Sequence, residues 1–596
     1  MEQGQLTRRG YNGPSIVPNP QAGDPMSYPS LLARLRQLPA DPALSSRLLQ
    51  TRQWEGPLCR VRLDNTGSTA ESVHRWRLFE GDLGIDPASA IYGEGFQMLA
   101  QTMGSWQAPE PVGRCPDASV YRITDDDGYH TVHNLLLVAQ EGGWLLLAFA
   151  SCQRFGGEFR LYPDGCLEIV MNAEGRALPA GQHWQSEALI CLEGPDREAL
   201  LAALADYIEA EHGTLVCGVK ARPSGWCSWY HYYAQVSADD IRENLGTRAS
   251  RFPELRYVQI DDGYHARMGD WLTPSAKFEQ GVAALAQDIL AAGCEPALWV
   301  APFIAEPGSR VFQQHPEWFV KGEDGLPLPS ERVTYGGWRC TPWYVLDGTH
   351  PEVQAHLEQL FHTLREQWGI HYFKLDANFW GAIHGGRFHD PDATRVEAYR
   401  RGMAAILRGA GEGAFLLGCN APLWPSLGLV HGMRVSDDVE RQGARFRQIA
   451  REAFCRAWQN DRLWALDPDC VCLRDIPGQH ASRAEYDFHL AALVASGGMV
   501  LAGDRLQDLD DAQGAHLGKL LALCEGRAPA ARFDDMGFAR GRVALPGGGE
   551  LLCLFNWGEQ ATRVALPPGG VDFWDDAPQA EGLVLQGGQG RVIRYG

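Results

Sequence analysis

The sequence predicts an α/β protein, in which a central (β/α)8 TIM barrel is flanked by an N-terminal antiparallel β-sandwich and a small C-terminal antiparallel β domain. Three patterns carry that expectation. Between residues 48 and 196, short runs of alternating apolar and polar residues are separated by Gly and Asp turns, as in a sandwich of short strands. From about residue 215, eight apolar runs alternate with long amphipathic stretches over about 290 residues, which is the size and order of a barrel. After about residue 525 short strand patterns return. The expected units are therefore residues 1–212, 213–524 and 525–596.

Residues 1 to about 25 are rich in Gly, Pro, Asn and Gln and are expected to be partly loose. The sandwich strands are expected at 58–63, 119–123, 131–139, 144–150, 158–162 and 166–171, with a closing helix at 196–211. The barrel runs lie at 225–229, 257–260, 296–302, 372–375, 415–419, 432–435, 463–466 and 499–502. Helical patterns between them include 282–292, 351–368, 395–407 and 442–459. An insertion in the third unit, about 306–347, is long enough to wall the barrel mouth. The last domain reads as strands at 542–545, 550–556, 561–566, 583–586 and 592–595 and is expected to support the barrel.

Composition narrows the partners. A net charge of −21 disfavours nucleic acid and anionic membranes and fits a neutral or cationic ligand. The 19 tryptophans supply faces that stack on sugar rings, although most will be core. The 15 cysteines are odd in number and contain no CxxC pair, so metal spacing is absent and reduced thiols in a cytoplasm are expected. The first residues carry no apolar signal core, and the apolar runs are too short to cross a bilayer. The sequence assigns no oligomeric state.

In a (β/α)8 barrel the chemistry lies at the C-terminal ends of the strands. The first run ends in Ser228-Trp229-Tyr230-His231, the second in Asp261-Asp262, and the third carries Trp299. The fourth delivers Lys374 and Asp376, the fifth ends in Cys419-Asn420, and the sixth delivers Arg434, Asp437 and Asp438. The seventh ends in Asp467-Pro468-Asp469 and the eighth in Gly503-Asp504. Carboxylates thus stand at five of the eight mouths. They suit either sugar hydroxyls or a divalent ion held by Asp261, Asp262, Asp376, Asp438 and Asp469. Lys374 and Arg434 would repel such an ion, which favours the sugar.

Lys374 and Asp376 lie two apart on one strand face. Contact with the lysine would hold Asp376 ionised and lower its pKa, as a nucleophile or charge stabiliser requires, although a salt bridge that only orders the loop fits the same spacing. The second carboxyl group of a glycosidase must stay protonated, with a pKa of about 6–7. Asp437 and Asp438 are the candidates, because adjacent like charges raise each other. A separation of about 5–5.5 Å between the two carboxyl groups would mean retention of configuration, and about 6.5–9.5 Å inversion.

These motifs together resemble the α-galactosidases of glycoside hydrolase family 36. The resemblance runs through Gly225-Trp226-Cys227-Ser228-Trp229-Tyr230-His231-Tyr232, Gln259-Ile260-Asp261-Asp262-Gly263-Tyr264 and Gly269-Asp270-Trp271. It continues through Leu298–Phe303, His315–Trp318, Phe373-Lys374-Leu375-Asp376, Leu417-Gly418-Cys419, Met433–Asp438 and Asp467–Cys470, in the family's order. It implies a retaining α-galactosidase with no metal; the expected enzyme is exo-acting and cofactor-free, and the signal-free chain favours imported small α-galactoside oligosaccharides over polymers. Asp376 would be the nucleophile. Asp438 would be the acid/base, four residues after the arginine that matches Arg434. Asp261 and Asp262 would hold the 4- and 6-hydroxyls, and Trp299, Lys374, Cys419 and Arg434 would line the galactose subsite, with Trp229 at the first strand's end.

Three positions depart from the family pattern. Asn420 stands where the family often has Gly, facing carbon 2 of the sugar, so α-N-acetylgalactosaminidase activity stays open. Met98 stands where a tryptophan is usual. Asn378 adds a hydrogen-bonding group that some members lack. Transfer of galactose to a sugar acceptor, or silent sugar binding, would also fit such a fold.

Overall fold

The structure is a computed structural model that describes residues 30–38, 45–124 and 128–596. The stretch expected to be loose, residues 1 to 25, lies outside the described residues. All eight predicted barrel strands form, at Ser224–Cys227, Tyr257–Ile260, Glu295–Val300, Tyr372–Leu375, Phe415–Gly418, Gly432–Arg434, Ala465–Asp467 and Val500–Ala502. They pair in parallel in that order, and the first returns to the eighth, with Gly225 opposite Leu501. Between the seventh and eighth the ladder thins to one bond, from the Met499 N–H to the Leu466 carbonyl at 2.8 Å, so the barrel is nearly closed.

The helices form where sequence periodicity and caps agree. Pro351–Glu366 starts with proline at its first turn and buries Val353, Leu357, Leu360, Phe361 and Leu364, one stripe at spacings of three and four. Arg395–Ala410 opens with a capping box between Thr394 and Glu397. The insertion after the third strand folds back on itself, with Ile304–Ala305 paired against Tyr344–Val345. That pairing sets the segment between them over the barrel mouth.

The N-terminal part is an antiparallel assembly in which Leu58–Asn65, His130–Gln140, Gly143–Phe149, Gly156–Leu161 and Cys166–Leu178 realise predicted strands. The strand expected at 119–123 does not exist. Those residues turn instead, with the Ile123 N–H on the Asp117 carbonyl at 2.9 Å, and the Asp117 carboxylate accepts from the Phe96 N–H at 2.6 Å. The β-branched Val120 and Ile123 mimic a strand, but the Asp117 carbonyl takes the Ile123 N–H and closes a turn, while Phe96 and Gln97 anchor the Asp117 carboxylate from another loop. Two long strands went unpredicted. Leu48–Glu55 pairs with Leu58–Asn65, and Glu71–Asp82 pairs with Cys166–Leu178. Glutamates and arginines on the outer face of each interrupt its apolar pattern.

The sandwich is locked to the barrel. The Met98 N–H donates to the Ala421 carbonyl at 2.9 Å and the Leu423 N–H to the Phe96 carbonyl at 3.0 Å, so a sandwich loop forms a short ladder with the loop after the fifth barrel strand. Beside it, Arg456 Nη2 meets Glu94 Oε2 at 2.6 Å with both side chains fully buried. Glu94 also accepts from Tyr92 Oη and Gln459 Nε2. Removing one charge of such a pair strands the other out of water. Glu94→Gln is therefore expected to cost about 3–5 kcal/mol, seen as a lower first transition in a thermal melt, with little change in the isolated substrate chemistry.

The C-terminal strands, among them Arg540–Ala544, Glu550–Phe555 and Gly590–Tyr595, form a sheet against the barrel helix Arg483–Ser496. Phe488 meets Phe555 with ring centroids 5.1 Å apart, and Gln589 Nε2 donates to Asp487 Oδ2 at 2.9 Å. Among the described residues no helix is long and apolar enough to cross a membrane.

Candidate active site

A pocket of about 270 Å³ opens at the C-terminal ends of the barrel strands. Asp376 and Asp438 both line it, from the fourth and sixth strands. Trp229, Asp261, Asp262, Trp299, Lys374, Cys419 and Asn420 line it as well. Two expected residues do not. Arg434 is only 1% exposed and backs the pocket behind Asp438. Asn378 is fully buried, in the short helical turn after Asp376. Residues after strand ends point into the mouth only when the backbone turns them there, and the turn at Ala377, with φ of 52°, sends Asn378 inward.

The expected contact between Lys374 and Asp376 is not made. Lys374 Nζ reaches across to the second strand and sits 3.0 Å from Asp261 Oδ2, with both side chains buried. Asp376 is held instead by neutral donors, Trp299 Nε1 on Oδ2 at 2.9 Å and the Ala377 N–H on Oδ1 at 2.7 Å. Burial pushes its pKa above the ordinary carboxylate range, and the Lys374 charge offsets only part of that. The direction is opposite to the one the spacing predicts, because burial dominates and the lysine's nearest carboxylate belongs to the second strand, beyond the third.

Asp438 also departs from expectation. Burial works to raise its pKa, but the charges of Arg434 and Lys374 outweigh it and hold the carboxyl below its ordinary value. Arg434 Nη2 lies 2.8 Å from Asp438 Oδ1. The neighbouring Asp437 gives no upward push, since its own charge is taken by Arg114 Nε and Arg445 Nη1, each at 2.7 Å from Oδ2. Its Oδ1 accepts the Asp438 N–H at 2.8 Å, a bond rather than a repulsion. The Asp438 side chain remains 51% exposed to the pocket.

Asp261 and Asp262 are both engaged by protein. Asp261 Oδ2 takes Gln259 Nε2 at 2.7 Å in addition to the lysine. Asp262 is gripped by Arg339, with Nε 2.6 Å from Oδ2, and by His265 Nε2 at 2.9 Å, and despite its burial these partners hold its pKa low. Burial raises the Cys419 thiol well above its usual range, so that it lines the pocket as a neutral group. Among the described residues no group of three or more His, Cys, Asp or Glu is placed to hold a metal ion.

Several pocket residues carry no sequence signal at all. Tyr335 and Trp338, with Arg339 behind Asp262, come from the insertion, and Leu99, Arg114 and Cys115 come from the sandwich. Tyr121, from the segment mistaken for a strand, donates from Oη to Asn420 Oδ1 at 2.7 Å. Met98, noted as the place of a missing tryptophan, receives the Asn420 N–H on its sulfur at 3.0 Å and steadies that residue at φ of 42°. These residues reach the barrel only through the tertiary ladder between the Met98 loop and the Ala421 loop.

Comparison with known proteins fits this geometry. The melibiase family model matches residues 222–406, from the first barrel strand past the fourth. The α-galactosidase of Escherichia coli is 28% identical over 190 residues, which are 30% of this chain and 25% of that protein, so the chain spans about a quarter of that relative's length. The α-galactosidase of Thermus thermophilus, solved with p-nitrophenyl α-D-galactopyranoside, is 25% identical, with a TM-score of 0.62 over 83% of this chain and 98% of its own. The family 36 α-galactosidase of Geobacillus stearothermophilus, solved with raffinose, shares the fold at 14% identity, with a TM-score of 0.63 over 92% of this chain and 80% of its own. Residues 222–406 thus resemble the melibiase family, and the barrel between two β domains is the fold of the family 36 α-galactosidases.

Proposed function

We propose that the chain is an exo-acting α-galactosidase that hydrolyses terminal α-D-galactosyl residues of small oligosaccharides by double displacement. The observation that carries this reading is the placement of Asp376 and Asp438, from two different strands, on one small pocket. Asp376 attacks the anomeric carbon, while Asp438 gives its proton to the departing glycosidic oxygen. A covalent galactosyl-enzyme results. Asp438, now ionised, takes a proton from water, whose oxygen displaces Asp376 and releases galactose.

The electrostatics of the empty pocket serve this reaction once a sugar enters. A carboxylate held by two neutral N–H donors in a buried site is poorly solvated, and forming a bond to carbon relieves that cost at Asp376. Asp438, half exposed, loses water when the sugar covers it, and desolvation favours its protonated form. The proton order therefore shifts toward the working one on binding. Release of nitrophenol from p-nitrophenyl α-galactoside tests the reading. Turnover no greater than that of Asp376→Ala would end it, and activity that persists in excess chelator is expected.

A second substrate reading rests on Asn420. Tyr121 occupies its Oδ1, which leaves the Nδ2 donors as the amide's remaining partners in the pocket. Such donors suit a 2-hydroxyl or the carbonyl of a 2-acetamido group. Loss of one orienting hydrogen bond costs about 1 kcal/mol, so Tyr121→Phe is expected to lower kcat/KM about five- to tenfold. Kinetics on matched nitrophenyl α-galactoside and α-N-acetylgalactosaminide decide which sugar this affects. Equal losses on both would show that Asn420 does not read carbon 2.

A further inference from the structure

Behind Asp438 lies a second carboxyl group that the mechanism does not use. Asp469 follows the seventh strand and is 3% exposed, at φ of 77°, a left-handed backbone that non-glycine residues adopt seldom. Its N–H is tied to Asp467 Oδ1 at 2.9 Å. Its Oδ2 accepts from Arg434 Nη2 at 2.6 Å, from the Val439 N–H at 2.7 Å and from Tyr230 Oη. The same Arg434 Nη2 lies 2.8 Å from Asp438 Oδ1, 3.0 Å from the Asp437 carbonyl and 3.2 Å from Tyr230 Oη. One nitrogen with two hydrogens faces four acceptors.

We propose that Asp469 is a positioning residue for Asp438: both carboxyl groups lean on a single guanidinium nitrogen, so the charge on Asp469 sets how firmly Arg434 holds Asp438 ionised. The inference rests on Asp438 acting as the acid/base. The charge balance supports it. Around Asp469 stand Tyr230 from the first strand's end, Arg434 and Asp438 from the sixth, Lys374 from the fourth, and Asp467, Cys470 and Cys472 on its own loop. Lys374 is paired with Asp261 and acts on Asp438 and Asp469 only through its more distant charge. Among the described residues Arg434 is thus the one cation in hydrogen-bond contact with Asp438 and Asp469, and burial, against the pull of Arg434 and the weaker pull of Lys374, pushes Asp469 up to about 7.

With Asp469 protonated, Arg434 serves Asp438 and keeps its proton off. With Asp469 ionised, the nitrogen is shared and a like charge lies beside Asp438, so Asp438 takes a proton more readily. Asp469→Asn freezes the first state, and Asp469→Glu keeps a charge. For Asp469→Asn, one limb of the kcat/KM profile on melibiose, the limb that belongs to Asp438, is expected to move to lower pH by about one unit, while the other stays. The loss on melibiose at neutral pH is about tenfold. On p-nitrophenyl α-galactoside, whose nitrophenolate leaves without a proton, the loss stays within about twofold. Asp469→Glu is expected to return the limb toward the parent position.

Equal losses on both substrates with neither limb moved would mean a merely structural role and would overturn the proposal. Infrared difference spectroscopy between the wild type and Asp469→Asn supplies a readout free of activity. Because burial also pushes Glu452 up to about 7, the expected result is a protonated carboxyl band that titrates in the wild type and is missing from the variant, and no such difference would equally overturn the proposal. An active Asp376→Ala enzyme would instead overturn the function on which this rests and leave the infrared result standing.

Discussion

Asp376→Gly is expected to lower kcat/KM for p-nitrophenyl α-galactoside by about 10⁴-fold or more, and added azide is expected to restore part of it. Glycine removes the attacking oxygen but keeps the left-handed turn at Ala377 and the Trp299 indole, so a small anion can occupy the space the carboxylate leaves. Azide entering there meets the sugar on the face opposite the leaving group and yields β-galactosyl azide. In the wild-type enzyme a second displacement on the same face restores the starting configuration, so proton NMR should show α-galactose as the first product. β-Galactose as the first product would make Asp376 a base for water and the enzyme inverting. Asp438→Ala should behave differently. Its loss, about 10²–10⁴-fold on melibiose, should shrink on the nitrophenyl substrate, which needs little acid assistance. A variant pair that fails to show this split would remove Asp438 from the acid role.

Much of this arrangement is legible in the sequence because it depends on local pattern. The eight apolar runs are short and buried on both faces, as parallel strands must be, and each is followed by its polar residues at once. That places Asp261, Asp376, Cys419 and Asp438 at strand ends without knowledge of any contact. What the sequence conceals is what crosses between strands and domains. The spacing of Lys374 and Asp376 is a fact of one strand, but the lysine's partner is decided two strands away, where Asp261 follows the second strand. The adjacency of Asp437 and Asp438 suggests repulsion, yet Arg114 from the sandwich and Arg445 from the following helix cancel one charge before it acts. Glu71–Asp82 hides as a strand because its outer face is charged, while Val120 and Ile123 advertise a strand that the Asp117 turn forbids. Trp338 and Arg339 lie in an insertion with no periodicity to place them.

Lys374→Met is expected to destabilise the protein by about 3–5 kcal/mol, a larger effect than its loss from a surface position would have. Methionine fills much the same space, so the cost is electrostatic. Asp261 is 1% exposed, and without the ammonium its charge would be left with Gln259, Cys227 and the Asp262 N–H as partners. The double variant Lys374→Met with Asp261→Asn should recover much of the loss, since it removes the stranded charge, and a thermal-melt cycle over the four proteins measures the coupling. The pH dependence follows from the lysine. Burial alone would lower its pKa, but Asp261 and the other acidic groups around it raise it well above the ordinary lysine value. Its contribution is therefore complete below the unfolded-state pKa of about 10.4 and is lost only as pH rises through the higher folded value. The advantage of the wild type over the double variant should stay constant from pH 6 to 9 and fade only in strong alkali. Asp376 gains as well from the ammonium, so Lys374→Met should raise its pKa further and move the acid side of the activity profile to higher pH. If Lys374→Met melted like the wild type yet lost activity, the lysine's energy would be directed at the sugar and not at Asp261, and the ion pair would be a resting contact that substrate breaks.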